Sequence, residues 1–561
     1  MKISSPAAPN ATPDRVDEVE LDAIFERVDQ CSKPGVAVAL AIGGTPVYRK
    51  GFGLASMDTP LLLDTRMRMR VGSITKQFTA LAYLLLCEMS QAGLDDRLGR
   101  YFPEFHPVVR DITMRQLMSH TSGVRDVSSI RFRLGGFEGT SIPLKTLLEL
   151  YTDIDDVDFK PGVTCAYNNG GYMILGAAIE RITRQRLGEV LWQRIFAPIG
   201  MYDSFLRDWD TEFFANAATA HTLTGNGQFE RRYWGVDFGG AGNLCSTADD
   251  LLRWLIHMDT PIVGTRATWG LMTTPNTLPN GTSTGYGFGL HQGSYRGLRT
   301  VSHGGGWIGG NAMILKVPER GVDIAVISNR NDVYSPVLVN RVLDLCIFGE
   351  DVNPRSDGGE EYSVYRINRK DNAVASGAQT STAPVVTGIF RAPGSRRIVQ
   401  LFGRGGRQIV SVNAHDLPYE RRGESEMVPS EAWSHIKRTV TLLGDPASPS
   451  SIVLSDFGDV EDFVAVVPSN DSDWESILGE YCWAPAGGVA RIQRTDEQLI
   501  LQTRSRFGSM SYVLERLDRQ IWRASSLASI FLDSILFFDR DHEGFHLTSF
   551  SVRSLAFRRT A

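Results

Sequence analysis

Residues 71–89 read VGSITKQFTALAYLLLCEM, a polar start followed by an apolar run with helical periodicity. Ser73 and Lys76 are three residues apart, so a helix places both side chains on one face. Near a helix start the backbone amides are unpaired and the dipole end is positive, which suits a developing alkoxide or oxyanion. A lysine whose pKa is lowered by burial can take the proton of a serine. The stretch therefore indicates a helix that presents a candidate nucleophile and a candidate base.

The S-x-x-K pattern is a weak signal by itself. Ser434 and Lys437 match it equally well, in a β-rich tail with no apolar helix behind them. For Ser73 the alternative is a helix cap followed by a solvent-facing lysine. Other motifs must therefore decide between the two interpretations.

A second motif is Tyr167-Asn168-Asn169, which follows a Pro-Gly turn and precedes a helical run. Tyr167 is the only one of sixteen tyrosines with Asn two residues later. A phenol beside Lys76 can share a proton with it, so that one or the other is the general base, and the Asn169 amide can bind the lysine or a substrate carbonyl. The alternative is a tyrosine that only packs on a turn.

A third motif is His303-Gly304-Gly305-Gly306, flanked by strand-like runs at Tyr286–Leu290, Ala312–Leu315 and Ile324–Ser328. Glycines at this point let a substrate backbone lie flat along a sheet edge. His-x-Gly also occurs at His291 and His542, so this motif too is weak alone.

The three motifs, in this order and within one domain, resemble the serine β-lactamases and penicillin-binding proteins with their esterase and peptidase relatives. The phrases LMSHTSG at 117–123 and GGAGNLCSTADD at 239–250 are also similar, and the resemblance covers most of residues 20–347. It implies an acyl-enzyme mechanism with Ser73 as nucleophile, Lys76 and Tyr167 managing the proton, and main-chain amides of Ser73 and Gly306 as the oxyanion hole. The substrate-binding residues that it implies are Asn169, His303, Gly304, Gly305 and Gly306. It implies no metal and no organic cofactor.

The chain, at 561 residues, is too long for one core and predicts several domains. The predicted fold is an α/β or α+β, β-lactamase-like catalytic domain at residues 1–350, a polar linker at 351–383, and two small antiparallel β-barrel domains at 384–470 and 471–561. A duplication supports the two barrels, because Gly388-Ile389-Phe390 is echoed 91 residues later by Gly479-Glu480-Tyr481. Closed barrels remove exposed strand edges.

A catalytic domain followed by two such barrels is similar to the D-aminopeptidases, which release amino-terminal D-residues from peptides, amides and esters. In that subgroup a loop from the last barrel enters the active site, and an acidic residue on it contacts the substrate amine. The comparable stretch is Ile521–Asp533, apolar and with Asp533 as its one acid. We expect this loop to point towards the active site and to select a different or less charged acyl group. The resemblance also implies a homodimer.

Other functions stay open from the sequence. An esterase or amidase with other acyl specificity is the first alternative, followed by a weak β-lactamase or D-Ala-D-Ala carboxypeptidase. A binding protein that kept the fold and lost the chemistry is the alternative from another class. β-Lactams are candidate slow acylating inhibitors.

Charge and composition limit the partners. A net charge of -6 without a polybasic block argues against nucleic acid or an anionic membrane and favours a small-molecule or short peptide substrate. The first twenty residues lack the apolar core of a signal peptide, which predicts a cytoplasmic protein, and no apolar stretch is long enough to span a bilayer. The six cysteines lack metal-type spacing and are predicted to be buried free thiols.

Overall fold

A computed structural model describes residues 16–135, 141–224, 226–350, 385–404, 406–430, 438–466, 474–495, 498–526, 533–539, 541–549 and 554–560. The predicted multidomain fold is confirmed, because a domain of helices around an antiparallel sheet is followed by two closed antiparallel barrels. The predicted linker at 351–383 and the second S-x-x-K copy at Ser434 and Lys437 lie outside the described residues.

Helices make up much of the first domain. Their bounds are α1 (Glu18–Phe25), α2 (Thr75–Glu88), α3 (Pro107–Arg110), α4 (Met114–Met118), α5 (Val127–Gly135), α6 (Leu144–Leu148), α7 (Asn169–Thr183), α8 (Leu187–Leu191), α9 (Ala197–Ile199), α10 (Ala248–His257), α11 (Arg266–Thr273) and α12 (Ser335–Phe348). None of the described helices is long and apolar enough to cross a membrane.

The strands of this domain form one main sheet and two smaller ones. Their bounds are β1 (Val36–Ile42), β2 (Thr45–Phe52), β3 (Met69–Arg70), β4 (Phe205–Leu206), β5 (Thr222–Leu223), β6 (Phe229–Glu230), β7 (Leu244–Ser246), β8 (His291–Tyr295), β9 (Leu298–Trp307), β10 (Gly310–Val317) and β11 (Val322–Ser328). The main sheet has the order β2-β1-β11-β10-β9-β8, and each neighbouring pair is antiparallel.

Alternation along β1 creates a three-layer domain. Side chains of successive residues point to opposite faces of a strand. Ala37, Ala39 and Ala41 join the large core that contains α2, α7 and α10, whereas Val36 and Leu40 join a second core beneath α1 and α12. The sheet is therefore buried on both faces, as helices on both sides require.

Each barrel closes from eight strands within the described residues. The first barrel comprises β12 (Gly388–Arg391), β13 (Ile398–Arg404), β14 (Arg407–Val412), β15 (His415–Arg422), β16 (Glu426–Pro429), β17 (Arg438–Asp445), β18 (Ser448–Asp456) and β19 (Asp459–Ala465). The second comprises β20 (Gly479–Trp483), β21 (Gly488–Arg494), β22 (Leu499–Ser505), β23 (Gly508–Asp518), β24 (Ile521–Ser526), β25 (Ser534–Phe538), β26 (Gly544–Thr548) and β27 (Leu555–Arg559). The repeated glycines, Gly388 and Gly479, each begin the first strand of a barrel.

The two barrels relate differently to the first domain. The first barrel has a separate apolar core, whereas the core of the second is continuous with that of the first domain. The end of α5 makes this connection, since Leu134 is fully buried and a Cβ added at Gly488 would lie 3.4 Å from its Cδ1 atom. The second barrel and the first domain therefore share one core.

Two sequence expectations are corrected by the structure. Tyr286–Leu290 is not a strand: it turns, with one bridge from Tyr286 to His291, because Gly289 has φ +83 and packs on α2 where an added Cβ would lie 2.5 Å from Gln77. All six cysteines are free, but Cys31 and Cys482 are exposed rather than buried. Cys87 is half-buried, and the prediction holds for Cys165, Cys245 and Cys346.

The predicted loop from the second barrel, Ile521–Asp533, is described only at its ends, since residues 527–532 lie outside the described part of the chain. At its base the Ser526 backbone N–H donates to Asp533 at 2.9 Å, and Arg523 pairs with Asp533 at 3.3 Å. Asp533 is thus held by its own barrel.

Replacing Leu134 with alanine is expected to lower the free energy of unfolding by about 2 to 5 kcal/mol, because it opens a cavity in the core that the second barrel shares with the first domain. Urea unfolding followed by tryptophan fluorescence measures the loss. Leu62, which is 62% exposed, is the matched control, and its alanine variant should change the same quantity by less than about 0.5 kcal/mol. Equal losses in the two variants would contradict the shared core.

Candidate functional site

Ser73 lies in a single 3-10 turn, Gly72–Ile74, and Lys76 lies in the first turn of α2, as the sequence predicts. Gly72 has φ +54, a backbone conformation that favours glycine. The Thr75 hydroxyl donates to the Gly72 carbonyl at 2.6 Å and accepts from the Leu244 backbone N–H at 3.0 Å. These bonds tie the turn that carries Ser73 to β7.

The Lys76 amine is fully buried and has three oxygen neighbours. Its Nζ atom lies 3.0 Å from Ser73 Oγ, 2.7 Å from Asn169 Oδ1 and 2.8 Å from the carbonyl oxygen of Ala241. Burial lowers the pKa of Lys76 to about 7. The two carbonyl-type oxygens can only accept, so in the neutral amine they keep both N–H groups and the lone pair faces the Ser73 hydroxyl. This geometry suits a base that takes the serine proton.

Tyr167 lies beside the Lys76 amine and close to Ser73. Its ring centroid lies 4.8 Å from Lys76 Nζ, and its hydroxyl is near enough to Ser73 for the serine to act on the pKa of the phenol. Burial raises the pKa of Tyr167, so the phenol keeps its proton in the pH range in which Lys76 loses one. The ionisation of the pair therefore favours Lys76 as the proton acceptor and Tyr167 as a hydrogen-bond donor.

The three glycines of β9, residues 304–306, form what we call the glycine strand, which lies against the Ser73 turn. The pairing of β8 with β9 ends at Ser302, and the following residues of β9 lie beside Gly72–Ile74. A Cβ added at Gly305 would lie 1.8 Å from the Val71 carbonyl oxygen, so glycine is required there. Gly306 is exposed, and an added Cβ would meet no atom within 4 Å. Gly304 lacks such a constraint, since a Cβ added there would have the Met313 sulfur as its nearest neighbour, at 3.6 Å.

His303 lies near Tyr167 and is bonded to Tyr286. Its Nδ1 atom lies 2.6 Å from the Gly304 carbonyl oxygen, which can only accept, so Nδ1 carries a proton. In the neutral ring, Nε2 then accepts from the Tyr286 hydroxyl at 3.0 Å. The ring centroids of His303 and Tyr167 are 6.3 Å apart. His303 thus holds Tyr286, whose ring packs against that of Tyr167. The predicted contact of His303 with substrate stays a prediction.

The structure therefore brings Ser73, Lys76, Tyr167 and Asn169 into one cluster, with the glycine strand along its edge. Sequence reasoning missed three participants, which are the Ala241 carbonyl, the His120 ring 4.4 Å from the Tyr167 ring, and the buried carboxylate of Asp126. Ala241 and His120 lie in the two phrases at 239–250 and 117–123 that carried only the family resemblance. Asp126 has the pattern of an ordinary helix cap, so no local signal set it apart. Within the described residues, no group of three or more His, Cys, Asp or Glu side chains is placed to hold a metal ion.

Covalent labelling of Ser73 by an aryl fluorophosphonate is expected to accelerate as the pH rises through about 7 and then to level off, because the neutral form of Lys76 is the competent base. The measurement is the labelling rate between pH 5 and 10, with the site located by mass spectrometry. Ser73→Ala should give no label. Lys76→Met should give a labelling rate that no longer rises with pH through about 7. A rate that still climbs between pH 9 and 10 would contradict the lowered pKa of Lys76.

Comparisons with known proteins agree with this geometry. The Beta-lactamase family profile matches residues 21–346. The D-aminopeptidases of Brucella ovis and Brucella anthropi are each 31% identical to this chain over 303 residues, which are 52% of this chain and 56% of the relative. The match therefore spans about half the length of these curated relatives.

One solved structure, an octameric penicillin-binding protein homologue from Pyrococcus abyssi, shares the fold with a TM-score of 0.56 and 20% identity. The alignment covers 80% of this chain and 100% of that one. The resemblance inferred from the three motifs is confirmed, since the family profile spans more than half of the sequence. This chain belongs to the beta-lactamase family.

Proposed function

We propose that this chain is a serine hydrolase that forms an acyl-enzyme and releases amino-terminal D-amino acids from peptides, amides or esters. One observation carries the hydrolase part, the fully buried Lys76 amine held between Ser73 Oγ, Asn169 Oδ1 and the Ala241 carbonyl oxygen. Ser73 and Tyr167 are partly exposed, so a substrate can reach the serine while the lysine amine remains buried away from solvent.

The proposed reaction begins when Ser73 Oγ attacks the substrate carbonyl carbon and Lys76 takes the hydroxyl proton. The negative charge that develops on the carbonyl oxygen is stabilised by the backbone N–H groups of Ser73 and Gly306, each such donor being worth about 10²- to 10³-fold in rate. The bond to the leaving group then breaks, the proton moves from Lys76 to the leaving amine or alcohol, and the acyl group remains on Ser73. Water repeats the sequence and frees the acid.

Tyr167 is the proposed route for that proton. Its hydroxyl, which lies near Ser73, can donate to the serine oxygen and hold that oxygen in line for attack. Because its pKa is raised, it can pass a proton on without resting as a phenolate. Lys76 accordingly acts as base and Tyr167 as donor and relay.

Two features support the D-aminopeptidase specificity, the 31% identity to D-aminopeptidases and the pair of barrels. One feature favours the alternative, an esterase or amidase with a less charged acyl group. Asp533, the one acid of the barrel loop, is engaged by Arg523 and by the Ser526 backbone N–H. A carboxylate held in this way is a poor partner for a substrate ammonium group.

Several expectations from the sequence stay predictions. These are the cytoplasmic location, the homodimer, inhibition by β-lactams, and the direction of the loop at residues 527–532. A weak β-lactamase or a carboxypeptidase would be recognised by the acyl donors that it hydrolyses, and an inactive binding protein by its failure to react with any activated acyl donor.

D-Alanyl p-nitroanilide is expected to be hydrolysed faster than its L-isomer and faster than its N-acetylated form. Release of nitroaniline measures the three rates, with Ser73→Ala as the blank. Equal rates for the free-amine and N-acetylated D-substrates would favour the esterase or amidase alternative. No turnover of these substrates or of p-nitrophenyl acetate by folded protein would refute the hydrolase proposal.

The Tyr167→Phe variant is expected to lower kcat by about 10²- to 10⁴-fold with a smaller change in KM, because it removes a proton donor that acts in the transition state. Tyr83→Phe is the control for loss of a tyrosine hydroxyl, since Tyr83 is fully buried and donates to the Gly93 carbonyl at 2.8 Å rather than acting at the serine. A Tyr167→Phe enzyme with the kcat of the control would contradict the relay.

A further inference from the structure

Asp126 is a buried carboxylate just before α5, only 2% exposed. It caps that helix: its Oδ1 atom accepts from the Ser128 backbone N–H at 3.1 Å and from the Ser128 hydroxyl at 2.6 Å, and its Oδ2 atom accepts from the Ser129 hydroxyl at 3.0 Å. These bonds compensate for the loss of hydration that burying a carboxylate entails.

A further bond connects this cap to the segment that carries Asn169. The Gly170 backbone N–H donates to Asp126 Oδ1 at 3.2 Å, and Asn169 is the first residue of α7. Nearby, the Asn168 side-chain amide donates to the Val124 carbonyl at 2.5 Å. The first turn of α7 is therefore fastened to the segment at 124–126, and the position of Asn169 Oδ1 against Lys76 depends on it.

Asp126 also acts on the lysine through its charge. Its carboxylate raises the pKa of Lys76, which opposes the larger effect of burial, and raises the pKa of Tyr167. Several other titratable groups surround the lysine and its tyrosine, namely His120, Tyr172, Tyr286 and His303. Unlike these four groups, Asp126 stabilises the ammonium form of Lys76.

The far end of α5 lies in the second barrel. The Arg133 carbonyl accepts from the Thr503 hydroxyl at 2.8 Å and from the Tyr512 hydroxyl at 3.0 Å. The backbones also touch, because a Cβ added at Gly508 would lie 2.4 Å from the Gly135 carbonyl oxygen. A helix rises about 1.5 Å per residue, so α5 is a short, stiff connection between the barrel and Asp126.

We propose that Asp126 is a positioning residue of the hydrolase site and that the second barrel, acting through α5, holds it in place. This inference rests on the proposed hydrolase function and deepens it. Asp126 fixes Asn169 against Lys76 through the first turn of α7, and its negative charge stabilises the lysine at a distance once the lysine has taken the serine proton. The barrel is then a working part of the catalytic unit.

The first test is the pH dependence of Ser73 labelling by an aryl fluorophosphonate in the Asp126→Asn variant. The asparagine keeps the shape and an acceptor oxygen but removes the charge, so the pKa of Lys76 falls further. In a plot of the maximal labelling rate against pH, the rising part on the acid side, the acidic limb, should move to lower pH by about half a unit or more. The affinity for the reagent should change little. Asp126→Glu, which restores the charge, should move the limb back towards its wild-type position.

An unmoved limb in Asp126→Asn, with only a lower plateau or weaker reagent affinity, would overturn the role of the charge. A wild-type profile in every respect would overturn the positioning role as well. If the wild-type enzyme itself fails to label at Ser73, the hydrolase proposal fails and not this inference alone.

The second test concerns the barrel and does not require that Asp126 variants fold. The double variant Thr503→Val with Tyr512→Phe removes both hydroxyl donors to the Arg133 carbonyl. The maximal labelling rate should fall roughly tenfold with the acidic limb in place, because small misplacements of reacting groups slow a reaction strongly while the Asp126 charge is kept.

The matched control is Thr548→Val with Tyr481→Phe, two equally buried side chains of the same barrel. Their hydroxyls bond to the Ile535 and Ile477 carbonyls, far from α5 in the chain and within the barrel segment itself. The control should keep the wild-type rate. Equal rates in the two double variants would overturn the barrel's part in the proposal.

Discussion

Burial of the Lys76 amine is the constraint on which the architecture of this domain depends. An ammonium group away from water is unstable unless oxygen atoms surround it. Here the acceptors come from three parts of the chain, the 3-10 turn with Ser73, the start of α7 with Asn169, and the backbone at Ala241. The fold must bring these parts within 3.0 Å of one nitrogen atom, and the pKa of about 7 that results makes the lysine useful as a base.

Close backbone contact is the second requirement, and glycine meets it. The strand β9 approaches the Ser73 turn so closely that a side chain at Gly305 would overlap the Val71 carbonyl. The same approach leaves Gly306 open towards the cleft. The motif with histidine and three glycines therefore acts mainly through its backbone, while His303 turns away to order Tyr286.

The two barrels are alike in construction and different in what they pack against. The first has a core of its own, whereas the second continues the core of the catalytic domain and receives the end of α5. A side chain such as Leu134, buried at that junction, stabilises both units together. The second barrel is therefore the one whose described core continues into the first domain and reaches α5, the helix that Asp126 caps.

The sequence by itself determined the mixed first domain and the placing of Ser73 and Lys76 at a helix start, because each is a local pattern of residue types at short spacing. It also determined the two barrels, because a short strand motif recurs 91 residues later. Only the tertiary structure decided the partners of the lysine, since Asn169 and Ala241 are 93 and 165 residues away along the chain. Asp126 has the sequence pattern of an ordinary helix cap. Tyr286–Leu290 has the pattern of a strand but forms a turn, because Gly289 packs on α2. Local periodicity does not encode contacts across such distances, so these features are set by how the elements pack.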